Sequence, residues 1–195
     1  MAFTERSRAA REAILTAARR RFTEEGYERT TIRMVAADAG LDPSMVMRYY
    51  GSKEGLFSAA VDVDLHLPDL TGVPTDELGQ VIARHFVRVW ESDWGRETLL
   101  ILLRSAASSH ATGAERVRAV FSGQVVPMVR TAIGDAVDTE VRAGLLSTQL
   151  LGTVLCRYIL QLPPVVAMDA ETLADSIAPL LQLILTGPLV VPGSR

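Results

Sequence analysis

The 195-residue chain is 48% hydrophobic and 22% charged, with a formal net charge of −3, a balance that supports a buried core and excludes intrinsic disorder. Its single cysteine, Cys156, lies in an apolar run, which excludes a disulfide framework and a thiolate metal site and suits a reducing compartment. The charge is uneven: residues 1–60 carry ten Lys or Arg against eight Asp or Glu, net +2, and residues 61–195 carry ten against fifteen, net −5, so a phosphate-attracting surface belongs in the front third.

The N-terminus is charged and has no apolar stretch of signal-peptide length, so a cytoplasmic location is expected. Ile14, Ala18 and Phe22 recur at i, i+4 and i+8 between arginine-rich flanks, predicting an amphipathic helix over residues 7–25 that Gly26 can end. The triplet Arg19-Arg20-Arg21 reads as its solvated face. Thr31 can cap a second helix at 32–39 with Val35 and Ala36 turned inward, stopped by Gly40. Asp42-Pro43 starts a third helix, 43–50, and Ser52 a fourth that carries Leu56, Phe57, Ala60 and Val61.

Residues 68–74 hold two prolines and a glycine and read as a domain boundary, separating 1–67 from 75–195. Longer helices are expected near 75–92, 96–109, 113–134, 138–161 and 169–186. Alternating apolar and polar runs are almost lacking, so the fold is expected to be all-α. The apolar segment 143–155 contains Ser147, Thr148 and Gln149 and falls short of the about 20 residues a bilayer needs, so no membrane span is expected.

The helix at 43–50 is only about two turns long, marginal by itself in water. A helix packed across it can hold it, and helix, glycine turn, helix is the helix-turn-helix arrangement, whose second member enters the major groove of DNA. The end of that helix carries phosphate chemistry. Arg48 offers a planar fork of donors, Tyr49 a hydroxyl and Lys53 a point charge.

Over residues 14–56 the chain resembles the TetR (tetracycline-repressor-like) transcriptional regulators. The shared marks are Phe22 followed by Gly26-Tyr27, then Thr30-Thr31-Ile32, Val35-Ala36-Ala37, Gly40-Leu41-Asp42, Tyr49-Tyr50 and Ser52-Lys53-Glu54. The resemblance implies that Thr31 and Lys53 contact phosphate and that Tyr49 touches the backbone. It also implies that Arg33, Pro43, Ser44, Met45 and Arg48 lie nearest the base edges, with Tyr50 turned inward. The chain departs from the family at Met47, usually Tyr, and at Ser44, commonly Gly or Ala. One phosphate contact is therefore expected to be missing, and no operator sequence can be borrowed.

Beyond residue 61 the resemblance is architectural and implies an effector-binding and dimerising domain. Candidate effector residues are His85, Phe86, Trp90, Trp94, Arg104, Phe121 and Met128, each of which also reads as ordinary core or surface. Their character suggests an apolar or aromatic effector. Gly144, Thr148, Gly152 and Cys156 follow one another at i+4 as a ridge of small residues, with Leu145, Leu151, Leu155 and Leu160 beside it. The last helix is apolar on more than one side through Leu173, Ile177, Leu180, Leu181, Leu183 and Ile184, so these two helices are expected to form a homodimer interface.

An enzyme is not expected. His66, His85 and His110 are scattered, and no phosphate loop or nucleophile elbow appears. No metal or cofactor is expected either. A helical adaptor for proteins or small molecules is the alternative, but it leaves the short 43–50 helix without a purpose.

Overall fold

The structure, a computed structural model, describes residues 2–107 and 111–190. It is all-α: α1 Ala2–Arg29, α2 Ile32–Asp38, α3 Pro43–Tyr50, α4 Lys53–Ala60, α5 Leu78–Glu91, α6 Asp93–Ala107, α7 Ala111–Val120, α8 Val126–Ile133, α9 Thr139–Val154, α10 Pro163–Val166 and α11 Ala170–Thr186. Among the described residues no helix is long and apolar enough to cross a membrane.

By packing, the described helices form two compact units, one within residues 1–63 and 93–118 and the other within 64–92 and 119–195. Residues 93–118 fall with the N-terminal helices because α6 packs on α1.

In the first unit, Ile14, Ala18 and Phe22 of α1 are buried with Val35, Ala36, Val46, Leu56 and Phe57. The rings of Phe22 and Tyr27 each meet Phe57 edge-on, with centroids 5.1 Å apart. Each short helix begins on the cap its sequence offers: Thr31 accepts from the Met34 N–H, Asp42 from that of Ser44 and Ser52 from that of Gly55. Between α2 and α3 the chain reverses through Gly40 at φ 65°, in the left-handed region that favours glycine.

The first helix is longer than the periodicity predicts, running from Ala2 to Arg29 with a break at Gly26, φ 77°. The arginine triplet is not a free solvated face. Arg21 and Arg20 both donate to the Asp38 carboxylate, and Arg19 donates to the Ala60 carbonyl. Asp38 is 13% exposed, and hydrogen bonds from Arg21 and then Arg20 hold its carboxyl well below the usual carboxylate range. A carboxylate depressed on folding contributes stability above its unfolded pKa and loses it as pH falls through the folded value. Asp38→Asn should therefore lower the melting temperature at pH 7. Thermal scans should show the gap to the wild type closing as pH drops below about 4.

In the second unit α5 and α11 pack closely along Gly79, Ala83, Ala174 and Ala178, and α9 packs against α8 and α11. The expected single helix over 113–134 is interrupted at Phe121–Val125 by a π-helical turn. Pro127 has no N–H and crowds the carbonyl of the residue four before it, and a wider turn accommodates this. A second π turn, Leu155–Ile159, ends the helix expected to reach 161. Gln161 then adopts φ 52° and the chain enters α10, a single helical turn absent from the expected elements.

Candidate nucleic-acid interface

Val46 is the buried residue of α3, and its neighbours Ser44, Met47 and Arg48 are exposed. These three stand at i, i+3 and i+4 and form one outward strip. Pro43 and Met45 are half-buried beside it, and Arg33 is exposed on the first turn of α2. Met47, 46% exposed, was not among the expected contacts.

Tyr49 sits between two guanidinium groups. Arg11 of α1 lies 5.0 Å from its ring centroid and Arg48 lies 5.2 Å away. Its hydroxyl accepts from the Ser7 hydroxyl at 3.3 Å and from Arg48 Nη2 at 3.5 Å. Those bonds, with the two positive charges, hold the phenol below its ordinary pKa. Both lone pairs being engaged, the Tyr49 proton is left to donate outward, the polarity a phosphate oxygen requires. Arg48 also donates to the Met45 sulfur at 3.0 Å, so its guanidinium rests along its own helix.

Tyr50 turns back and donates to the Arg11 carbonyl, as its expected inward orientation requires. The Lys53 ammonium donates to the Glu28 carbonyl at 3.0 Å and stands 4.4 Å over the Tyr27 ring. It stitches α4 to the end of α1 and keeps spare donors for a phosphate. The Thr31 hydroxyl is engaged as the cap of α2.

The effector candidates divide between the units. In the second, Phe86, Trp90 and Met128 are buried and Phe121 lies in the first π turn. His85 donates through Nε2 to the Leu65 carbonyl at 3.0 Å, and burial pushes its pKa down, so it is a neutral, satisfied histidine. Trp90 stacks on Tyr158 at 5.3 Å. The Tyr158 hydroxyl donates to Glu91, which also accepts from Arg157. Burial, then Glu91, pushes the Tyr158 phenol up to about 12. Tyr158, Glu91 and Arg157 were not anticipated, because 66 residues separate Glu91 from Arg157.

Arg104 falls in the first unit, where with Phe22, Tyr27 and Ile101 it lines an open cleft of about 430 Å³. The Trp94 side chain and His110 lie outside the described residues.

Of the expected interface residues, Leu173 and Ile177 are buried within the chain, 2% and 6% exposed. Both stand in line with the buried Leu181 at four-residue spacing, on the inward side of α11. The others remain accessible: Thr148 and Leu180 are exposed, and Gly144, Gly152, Cys156 and Ile184 are half-buried. A Cβ added at Gly144 or Gly152 meets no atom within 4 Å. Leu145, Leu151, Leu155 and Ile159 of the α9 segment, with Leu180 and Leu183 of α11, present apolar side chains to solvent. Arg142 bridges the two elements, donating to Asp138 and to the carbonyls of Ile184 and Gly187.

The family model for bacterial regulatory proteins of the tetR family matches residues 14–60, and that for the tetracyclin repressor-like C-terminal domain matches residues 76–185. No relative among the curated proteins matches the chain in sequence. Among solved structures the chain is similar to a TetR-family regulator of Streptomyces coelicolor A3, with 27% identity and a TM-score of 0.57 over 91% of this chain and 95% of that one. It is similar in fold to SmeT in its triclosan complex, with 24% identity and a TM-score of 0.70 over 94% and 99% of the two chains. The same holds for NalD of Pseudomonas aeruginosa, the secondary repressor of the MexAB-OprM multidrug efflux pump, with 20% identity and a TM-score of 0.71 over 93% and 97%.

Proposed function

The chain belongs to the TetR family of bacterial transcriptional regulators, and on that premise we propose that it acts as a ligand-released repressor, a homodimer on a palindromic operator. The observation that carries the DNA side is the outward strip of α3, Ser44, Met47 and Arg48, ending in the Tyr49 hydroxyl whose proton is free for phosphate. Arg48 reads a guanine edge, Ser44 hydrogen-bonds a base, and the Met47 side chain packs on a thymine methyl. Arg33, Pro43 and Met45 flank the same groove, and Thr31, Tyr49 and Lys53 fix the register on phosphates.

Two recognition helices must stand about 34–36 Å apart to enter successive major grooves. An effector that prefers another separation lowers DNA affinity by its differential affinity for the two states and by no more. Phe86, Trp90, Phe121 and Met128, with His85 at the edge, favour an apolar or aromatic effector, and SmeT's triclosan complex supports that reading. Trp94 and Arg104 are carried as further candidates. The dimer face combines the accessible Gly144, Thr148, Gly152 and Cys156 with Leu180 and Ile184. A cytoplasmic location follows from the same role.

The test is titration of duplex DNA from upstream of the protein's own gene, followed by fluorescence anisotropy. Arg48→Ala should cost about 1–3 kcal/mol on the operator and relax specificity at one base pair. Lys53→Ala should weaken all sequences alike and lower the salt slope by about 0.9 for each phosphate lost. A wild type that binds every duplex equally, with Arg48→Ala unchanged, overturns the assignment.

A further inference from the structure

The first three turns of α1 lack an evident structural purpose. Residues 2–13 precede the segment matched by the family model, and of residues 5–13 none is fully buried; the core face of α1 begins at Ile14. A helix extension without a buried face gains little from packing. Yet this one is docked. Ser7 donates to the Tyr49 hydroxyl, the Arg11 guanidinium stacks on the Tyr49 ring, and the Arg11 carbonyl accepts from Tyr50. Every one of these contacts goes to the last turn of α3, the end that faces phosphate.

Helical spacing sorts the charges of the extension. Ser7 and Arg11 stand one turn apart, and Arg8 lies three residues before Arg11 on the same side. Glu5 and Glu12 lie about 100–120° round the helix from Arg11, but at i−3 and i+4 from Arg8 they share its side. Arg8 and Arg11 are exposed, and among the described residues neither forms an ion pair with a carboxylate. The later arginines of α1 are spent within the protein. Arg20 and Arg21 hold Asp38, Arg19 holds the Ala60 carbonyl, and Arg29 donates to the Glu25 carbonyl. A guanidinium over a ring keeps N–H donors for a further acceptor.

We propose that the N-terminal extension of α1 is a second phosphate-binding edge, in which Arg8 and Arg11 grip the DNA backbone beside the phosphate met by Tyr49 and lengthen the footprint of each recognition helix. Ser7 and Tyr49 act as positioning residues that lock this edge to α3. The inference rests on the DNA-binding reading above and adds a contact surface outside the matched domain.

The test compares the full-length wild type, Arg8→Ala/Arg11→Ala, Arg8→Lys/Arg11→Lys and Arg48→Ala on the upstream duplex and on an unrelated duplex, at several salt concentrations. Two phosphates per subunit predict that the Ala pair lowers the salt slope of a dimer by about 3.6, from about 0.9 for each phosphate. Both duplexes should weaken by the same factor, at least tenfold, with melting temperature kept. The Lys pair should retain most of the slope, because a point charge still neutralises phosphate. Should the Ala pair lose helix content, Arg8→Gln/Arg11→Gln supports the same comparison. If the wild type binds DNA and Arg48→Ala weakens it, while the Ala or Gln pair keeps slope and affinity, this inference alone is overturned. If the wild type binds no duplex in a salt-dependent way, the DNA-binding reading fails first.

Discussion

Gly152→Arg should yield a folded monomer that no longer holds its operator. An added Cβ at Gly152 meets no atom within 4 Å, so the arginine is accommodated by its own subunit and helix content should be kept. The same space belongs to the partner in the proposed dimer. Leu145 and Leu151 of α9, Leu155 of the π turn that follows it, and Leu180 and Leu183 of α11 are exposed, and apolar side chains presented on two packed helices mark an interaction surface. A guanidinium forced between two such faces is an unpaired buried charge, which is strongly destabilising. Loss of the second half-site removes the gain from bivalent binding, about 10²–10⁴-fold in affinity. Light scattering would report the monomer, circular dichroism the retained helices and anisotropy the lost binding. A variant that remains dimeric with unchanged operator affinity would place the interface elsewhere.

Gly79→Val should be the most destabilising single change in the second unit. A Cβ at Gly79 would clash with the Ala178 carbonyl oxygen and stand 2.7 Å from the Gln182 amide nitrogen, which are backbone atoms of α11 that no rotamer change can move aside. The two helices meet backbone to backbone there, and the Gly79 N–H donates to the Gln182 side chain, which in turn donates to the Thr75 carbonyl. Overpacking costs typically 1–3 kcal/mol and sometimes more. Helices held apart also lose the buried contacts of Leu78, Ile82, Leu181 and Leu185, which places this site at or above the top of that range. At about 2–4 °C per kcal/mol for a chain of this size, the melting temperature should fall by about 6–12 °C. Gly123→Ala is the control, since its Cβ meets nothing within 4 Å. Equal melting temperatures for Gly79→Val and Gly123→Ala would show that α5 and α11 are not held at this distance.

Much of the first unit was legible from residue order because its determinants are local. A cap, a proline at the first helical position and a glycine at positive φ act within about four residues, so Thr31, Asp42-Pro43, Gly40 and Ser52 marked the bounds of α2, α3 and α4. Periodicity likewise identified Ile14, Ala18 and Phe22 as core. What remained hidden depends on partners far apart in sequence. Asp38 neutralises Arg20 and Arg21 from 18 and 17 residues away and the Ala60 carbonyl holds Arg19 from 41, so three arginines that read alike in the chain have different fates from Arg8 and Arg11. Apolar content in α11 identified a two-sided helix, but only packing against α5, α8 and α9 decided that Leu173 and Ile177 face inward and Leu180 and Leu183 outward. The glycines make the same point: Gly79 and Gly152 are indistinguishable as letters, yet one is required by a neighbouring backbone and the other faces open space. Residue order alone therefore marked the short helices of the first unit and the family resemblance, because short-range hydrogen bonding and periodicity encode them. Tertiary structure decided which charges remain for DNA and which apolar faces remain for a partner, because both are what is left once long-range packing and ion pairing have been satisfied.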